Sequence, residues 1–295
     1  MMNRRNFMRN TALAAGVATV GTRWAPSLQA SPYNKPIGLQ LYTVREQLGK
    51  DVPGTIKKVA EIGYKQVEVY GYKEDGVHDF YGHTTAEFAQ MLKDNGLTVP
   101  SAHYMLNHIH GNWEKTIEDA KLLGVKYMVN AILAPEERDW KKLVDVFNKA
   151  AEQTHKAGIG YCYHNHNFEF QKFGDSTPFE FLMKSLDPKL IQFEMDCFWV
   201  THAGHDPVEL FKKHPGRFPL LHIKDLKDHP PATQEFDARI GLFAEVGHGT
   251  IDWKRIFAAA PQGGMKYFYV EQDECEHPPF ESIKMSFDYL KALTV

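Results

Sequence analysis

The feature that most constrains the fold of this chain is an alternation of strand-like and helix-like segments that repeats eight times. Short apolar runs predict strands at residues 37–42, 66–70, 98–103, 127–131, 159–165, 190–196, 218–224 and 267–271. Between them, stretches of helical period predict helices at 52–62, 85–95, 113–123, 140–157, 178–186, 207–214, 253–259 and 280–293. Eight such units predict an α/β fold, a single-domain (β/α)8 TIM barrel, more readily than a doubly wound sheet.

Glycines support this division, because several predicted helices stop at a glycine just before the next strand. Gly63, Gly96, Gly124 and Gly158 occupy these positions, which are the usual places for a helix C-cap. No Pro/Gly/Ser-rich linker interrupts the chain after residue 34. We therefore expect residues 31–295 to form one barrel domain.

The N-terminal 30 residues are expected to lie outside that domain. Arg4 and Arg5 precede a small-residue stretch at 11–21 and then Ala30, a pattern typical of a twin-arginine export signal. The apolar part is much shorter than the ~20 residues that a spanning helix needs. The pattern predicts a periplasmic protein whose mature form has no membrane span; a cytosolic leader and an uncleaved, tethered form are the alternatives.

Charge and cysteine content exclude several classes of function. Without residues 1–30 the chain holds 30 basic and 37 acidic residues, whereas a nucleic-acid partner requires a dense basic face. Its three cysteines are odd in number and lack C-x-x-C spacing, which disfavours a disulfide framework or a thiolate zinc site. The chain also lacks the phosphate loop, the dinucleotide fingerprint and the serine-hydrolase elbow.

Metal-ligand side chains end the last predicted strands. Asp196 ends the sixth strand, His222 lies near the end of the seventh, and Glu271 ends the eighth. The carboxyl ends of barrel strands meet at one face, so these three side chains are expected to converge. Each alone fits a structural role as well, but together they favour one shared divalent ion. Mixed oxygen and nitrogen donors suit Mn²⁺, Mg²⁺, Co²⁺ and Zn²⁺ alike.

Side-chain alternation along the strands assigns these residues to the interior. In the sixth strand Glu194 and Asp196 share one face, and in the seventh His222 and Lys224 do the same. Helices cover the outside of a barrel, so the polar faces point into the lumen. On the same rim, Glu68 and His103 are further candidate substrate contacts beside Lys224, although an ion pair with a neighbouring lysine explains Glu68 equally well.

With these residues in view, the chain resembles the xylose-isomerase-like superfamily of sugar isomerases and epimerases. The resemblance runs from the Ile37-Gly38-Leu39-Gln40-Leu41-Tyr42 segment to the last strand, and it includes the His-x-Lys-Asp run that starts at His222. It implies one divalent metal held by Glu, Asp, His and Glu from strands five to eight. Asp196, His222 and Glu271 match three of these four positions.

The fifth strand departs from that pattern. Relatives often carry Glu-Asn-His, whereas this chain has His164-Asn165-His166. The fourth ligand is then either His164 or Glu169. We favour Glu169, because the resemblance extends to dehydratase-like relatives with a His-x-His run, in which a later glutamate serves as the ligand. His164 is then a substrate contact. His166 matches the substrate-contacting histidine of the family.

The resemblance also implies a reaction, in which the metal stabilises an enediolate formed from a keto-sugar. We expect Glu169 and Glu271 to act as acid and base with His166, in an isomerase or epimerase of non-phosphorylated carbohydrates. The alternative is a dehydratase or lyase that performs β-elimination on a 3-keto-glycoside or an inosose. Two other classes remain, an abasic-site-type endonuclease and a non-catalytic sugar binder.

Overall fold

The computed structural model describes residues 35–76, 79–236 and 241–295, so the predicted leader lies outside the described residues. Eight parallel strands close into a barrel in the order β1-β2-β3-β4-β5-β6-β7-β10. The strands are β1 (Gly38–Gln40), β2 (Gln66–Val69), β3 (Thr98–Tyr104), β4 (Tyr127–Asn130), β5 (Gly160–His164), β6 (Ile191–Asp196), β7 (Leu220–Ile223), the short antiparallel pair β8 (Asp225–Leu226) and β9 (Phe243–Ala244), and β10 (Tyr267–Val270). The predicted barrel is confirmed.

Helices lie between the strands, and each predicted helix is present. The α-helices are α1 (Arg45–Leu48), α2 (Val52–Ile62), α3 (Thr85–Asp94), α4 (Leu106–His110), α5 (Trp113–Leu123), α6 (Trp140–Lys156), α7 (Pro178–Ser185), α8 (Cys197–His202), α9 (Pro207–Lys213), α10 (Trp253–Gly263) and α11 (Pro279–Ala292). Periodicity did not predict α1, α4 and α8, which are too short to show a repeat. Within the described ranges, no helix combines the length and apolarity that a bilayer span requires.

Local sequence fixes the ends of these helices. Asp51 begins α2 by accepting a hydrogen bond from the Gly54 N–H, and Thr84 begins α3 in a capping box with Glu87. At the other end of α5, Gly124 has φ 89°, a left-handed conformation that favours glycine. Short connections therefore return each helix directly to the next strand.

Side chains of the strands alternate between the helical layer and the lumen. On β5, Tyr161 and Tyr163 pack against Phe147 of α6, while His164 faces the lumen and meets Glu194 of β6. Part of the lumen is filled by an apolar cluster of Val129, Cys162, Leu220 and Tyr269. The polar side chains near the strand ends therefore lie above a packed apolar layer of the lumen.

The long insertion after β7 is organised by one buried carboxylate, Asp225. Its side chain has no exposed surface, and its oxygens accept hydrogen bonds from the N–H groups of Leu226, Gly247, Gly249 and Ile251 and from Trp253 Nε1. A buried carboxylate is tolerated when hydrogen bonds compensate its lost hydration. Asp225 thereby fixes where the insertion leaves and rejoins the barrel.

We predict that Asp225→Ala lowers the free energy of unfolding by about 3 kcal/mol or more, because several buried N–H groups lose their acceptor. Urea denaturation followed by circular dichroism measures this loss. The exposed Asp175 provides the matched control, since Asp175→Ala is expected to change the stability by less than about 0.5 kcal/mol. Equal stabilities of the two variants would contradict the assigned role.

Candidate metal centre and substrate cavity

Three predicted ligands meet at the carboxyl ends of neighbouring strands. Asp196, His222 and Glu271 each offer one ligand atom, and these atoms lie within 4.8 Å of one another. His222 Nδ1 is 3.9 Å from Asp196 Oδ2 and 2.8 Å from Glu271 Oε2. Each of the three residues is at most 6% exposed. We refer to this group as the upper cluster.

His164 of β5 extends the upper cluster. Its Nε2 lies 3.8 Å from Asp196 Oδ2, while its Nδ1 lies 2.9 Å from Glu194 Oε2. Burial, followed by the nearby His222 and His166, holds the pKa of His164 well below its ordinary value. The imidazole is therefore neutral near pH 7, and a proton on Nδ1 that bonds Glu194 leaves the Nε2 lone pair free for a metal.

A second group, the lower cluster, lies deeper in the lumen. His103, His164, Glu194 and His222 bring ligand atoms within 4.8 Å of one another. Glu194 precedes Asp196 by two residues on the same strand, so its side chain projects into the layer below. His103 Nε2 is 2.7 Å from Glu194 Oε2 and 3.1 Å from Glu68 Oε2.

Glu68 joins the lower cluster to the barrel wall. Its Oε2 is 2.6 Å from His222 Nε2 and accepts from Gln40 Nε2 at 2.8 Å, while Oε1 accepts from the Ser101 hydroxyl at 2.5 Å. Burial would raise the pKa of Glu68, but His103 and His222 hold it well below its usual range. Glu68 and Glu194 thus each hydrogen-bond one imidazole of the upper cluster, an arrangement that orients metal-binding histidines.

The donor set of the upper cluster fits a divalent ion. Asp196 Oδ2 is buried and accepts no hydrogen bond, although Lys224 Nζ lies 3.2 Å away. Two imidazoles, which ligate metals in their neutral form, and two carboxylates make up the mixed nitrogen and oxygen donor set that Zn²⁺, Mn²⁺ and Co²⁺ accept. His164, Asp196, His222 and Glu271 are therefore the residues that would hold the metal.

Lys224 lies at the edge of the upper cluster as a buried cation. Its Nζ is 2.8 Å from Glu271 Oε2 and 3.0 Å from Asp273 Oδ1. Burial would lower the pKa of Lys224, but the carboxylates of Asp196, Asp273 and Glu271 raise it well above 10.5. Lys224 therefore stays charged at neutral pH and can stabilise negative charge on a ligand, but it cannot act as a base there.

A cavity of about 320 Å³ opens over the upper cluster. Its floor includes His164, His166, Lys224 and Glu271. Its walls are formed by Tyr42, Tyr70, Gly71, Tyr72, His103, Met105, His108, Ala131, Ile132, Phe236, Asp273 and Glu274. This volume lies within the usual range for small-molecule sites.

His166 contributes a neutral imidazole to the cavity. Its ring stacks on Phe168 at 5.4 Å and lies 5.6 Å from the ring of Trp199, and its buried Nδ1 has no hydrogen-bond partner. Burial and then the charge of Lys224 lower the pKa of His166 well below its ordinary value. A neutral imidazole in a cavity is suited to accept a proton.

Glu169 is not where the sequence placed it. Its Oε1 accepts from the Tyr163 hydroxyl at 2.6 Å and its Oε2 from the His166 N–H at 2.9 Å. Tyr163 faces the helical layer, so the turn at Phe168–Phe170 directs the Glu169 carboxylate to the outside of the barrel wall. This position differs from the expectation that Glu169 ligates the metal and acts in acid–base chemistry. Of the two residues that the sequence left open as fourth ligand, His164 is the one that lies beside the upper cluster.

The other predicted substrate contacts divide between the cavity lining and the barrel core. His103, His164 and Lys224 line the cavity, whereas Glu68 is fully buried in the lower cluster. Glu68 is thus corrected from a substrate contact to a hydrogen-bond partner of His222. The proposed ion pair of Glu68 with lysine is also replaced, since its charged partners are histidines.

Strand alternation placed Glu194 in the lumen beside Asp196 but gave it no role in the site. Asp273 and Phe236 were not predicted to belong to the site at all. Asp273 follows Glu271 by two residues beyond the strand end, and burial raises its pKa to about 6. Phe236 belongs to the long insertion, and no local pattern predicts that its ring contacts His166 at 5.3 Å.

Comparison with known proteins is consistent with this architecture. A family model described as the xylose isomerase-like TIM barrel matches residues 56–293. A crystal structure of a sugar phosphate isomerase/epimerase from Parabacteroides distasonis ATCC 8503 is 29% identical, with a TM-score of 0.73 over 87% of this chain and 93% of that chain. The IolI protein with a zinc atom bound is 18% identical, with a TM-score of 0.67 over 86% of this chain and 96% of that one, and shares the fold.

Among curated proteins, an inosose dehydratase from Geobacillus kaustophilus (strain HTA426) is 28% identical over 178 residues. The match covers 54% of this chain and 57% of that protein. The chain therefore spans little more than half the length of this relative.

We predict that metal binding releases about one proton at pH 7. Burial would lower the pKa of His222, but Glu194, Glu271 and Glu68 raise it well above 6.5, so the metal-free imidazole is protonated and must lose a proton to ligate. Apparent affinity for Mn²⁺ should then rise about tenfold per pH unit from about pH 6 to 7.

Titration calorimetry in two buffers of different ionisation enthalpy measures this proton count. The exposed His110 supplies a control, because His110→Ala should leave both the stoichiometry and the proton release unchanged. Metal binding with no proton release and no pH dependence would contradict the assignment of His222 as a ligand.

Proposed function

Because this chain belongs to the xylose isomerase-like TIM barrel family, we propose that it is a divalent-metal-dependent carbon–oxygen lyase. Its substrate is a cyclic, polyhydroxylated ketone of the inosose or keto-sugar type, from which it eliminates an oxygen substituent β to the carbonyl. The relative named inosose dehydratase supports this choice. It replaces the isomerase or epimerase that the sequence pattern favoured.

One observation carries the proposal, namely how acids and imidazoles are distributed around the cavity. Its lining carboxylates, Glu271, Asp273 and Glu274, all follow β10. Two imidazoles, His164 and His166, line the side that follows β5, three strands away around the barrel. Epimerisation by two carboxylates requires one on each face of the sugar ring, and Glu169 is not available to supply the second.

The metal would be held by His164, Asp196, His222 and Glu271. A divalent ion there supplies Lewis-acid stabilisation of negative charge that develops on the substrate carbonyl oxygen. Glu68 and Glu194 keep the two imidazoles in the required orientation by hydrogen bonds at 2.6 and 2.9 Å.

Proton transfer is assigned to His166. Its neutral imidazole accepts the proton from the carbon next to the carbonyl, and the electron pair of that C–H bond forms the new double bond as the β C–O bond breaks. The ammonium of Lys224 stabilises the departing oxygen. Lys224 also donates a proton to that oxygen, and the Asp273 carboxylate, 3.0 Å from Nζ, holds the ammonium in place. For an inosose the products are an unsaturated ketone and water.

One experiment distinguishes elimination from epimerisation, because the two reactions give different products. We expect the Mn²⁺-loaded protein to convert 2-keto-myo-inositol to an unsaturated ketone, seen as a new ultraviolet band and as vinyl signals in proton NMR in D₂O. An epimerase would give deuterium incorporation and a second diastereomer without the band. That result would refute the proposed lyase and restore the epimerase.

His166→Ala should lower kcat by about 10² to 10⁴, the range for loss of a general base, with unchanged Mn²⁺ stoichiometry because His166 is outside the ligand set. His110→Ala is the matched control and should retain full turnover. Undiminished turnover in His166→Ala would remove His166 from the mechanism.

A further inference from the structure

Exposed apolar side chains are concentrated at the mouth of the cavity. Tyr42, Met105 and Phe236 are 38%, 39% and 43% exposed, and all three line this one cavity. Among the residues that the structure describes, the other large exposed apolar side chains are Leu122 and Val295. Exposed apolar surface around a polar floor is typical of a binding site. We call Tyr42, Tyr70, Met105 and Phe236 the apolar rim.

Aromatic contacts hold one side of the apolar rim in place. The Tyr42 ring meets the Tyr70 ring edge-on at 5.1 Å, and the Arg45 guanidinium lies 4.4 Å from the centre of the Tyr42 ring. Tyr70 in turn contacts Tyr81 at 5.5 Å. Tyr81 has φ 52°, a backbone conformation that is unusual for a bulky residue. Residues with such strained backbone conformations cluster at functional sites.

Phe236 forms the other side of the apolar rim. Its ring lies 5.1 Å from Trp199 and 5.3 Å from His166. Asn167 holds this part of the insertion, because its Nδ2 donates to the carbonyls of Thr233 at 3.0 Å and Glu235 at 2.8 Å. The rings are thus fixed before a ligand arrives, which reduces the entropy lost on binding.

Charge around the cavity disfavours an anionic substituent. Asp273 and Glu274 line it, and Arg45, the nearest partner of Glu274, is committed to that carboxylate at 2.9 Å. Among the described residues of the lining, the two cations are already paired. Lys224 faces three carboxylates. Burial would lower the pKa of His103, but Glu68 and Glu194, 3.1 and 2.7 Å from its Nε2, raise it to about 10. An uncharged apolar group therefore fits this mouth better than a phosphate ester.

We propose that the apolar rim binds an aromatic aglycone, so that the substrate of this enzyme is an aryl keto-glycoside rather than a free inosose. This inference rests on the proposed elimination. The keto-sugar ring occupies the polar floor, and the aglycone lies between the Tyr42 and Phe236 sides of the rim. Flat rings pack well against tyrosine and phenylalanine in edge-on or offset arrangements.

The reaction balances without an added oxidant or reductant. For a 3-keto-glycoside, the proton on C2 passes to His166, a C1–C2 double bond forms, and the bond from C1 to the glycosidic oxygen breaks. The aglycone oxygen gains a proton from the Lys224 ammonium and leaves as a phenol. The other product is an unsaturated keto-sugar.

Binding of unreactive glycosides tests the apolar rim separately from catalysis. Phenyl β-D-glucoside and methyl β-D-glucoside lack the ketone, and their affinities for the Mn²⁺-loaded full chain are measured by calorimetry. We expect the phenyl compound to bind about tenfold tighter or better. Tyr42→Ala and Phe236→Ala should reduce that ratio about fivefold or more, whereas Leu122→Ala, which removes an exposed apolar side chain outside the cavity, should not change it.

The corresponding phenyl and methyl 3-keto-glucosides are then assayed for release of phenol and methanol. Phenyl preference in binding together with faster phenol release supports the inference. Equal binding of the two glucosides overturns it, even if 2-keto-myo-inositol is dehydrated, in which case the lyase stands alone. Phenyl preference without elimination from any ketone supports the aryl site and refutes the lyase.

Discussion

The site depends on two carboxylates, Glu68 and Glu194, that are buried in the barrel and never reach the cavity. Each has no exposed surface and bonds one imidazole of the upper cluster, at 2.6 Å for His222 with Glu68 and 2.9 Å for His164 with Glu194. These bonds leave the opposite nitrogen of each ring facing a carboxylate of the upper cluster, since His164 Nε2 lies 3.8 Å from Asp196 Oδ2 and His222 Nδ1 lies 2.8 Å from Glu271 Oε2. Buried charge is costly unless it is paired, so the lower cluster, with His103 between both carboxylates, is a condition for the upper one.

Much of the fold could be predicted from residue patterns. Strands such as β6 and helices such as α2 and α5 begin and end within a residue or two of expectation, because strand alternation, helix period and capping residues act locally. The one-turn helices that follow strands, such as α4 and α8, show no period. They form at the barrel rim, where the chain leaves the ends of the strands.

The candidate site was predictable where it follows strand geometry and not where it follows turns. The alternation of side chains between the two faces of a strand continues as far as Asp196, His222 and Lys224. It therefore places all three side chains in the lumen. Glu169 lies beyond β5, and the turn there directs its carboxylate to the Tyr163 hydroxyl on the outer face. No periodicity extends across such a turn. Phe236 depends on hydrogen bonds from Asn167, more than 60 residues away, which sequence spacing cannot reveal.

We propose that His164 replaces a carboxylate as the fourth metal ligand, and that this substitution directs the chemistry toward elimination. X-ray absorption spectroscopy of the Co²⁺- or Zn²⁺-loaded protein counts imidazole ligands from their multiple-scattering signature. We expect two histidine ligands in the native chain and one in His164→Glu. A native spectrum that fits one histidine, unchanged in His164→Glu, would contradict it.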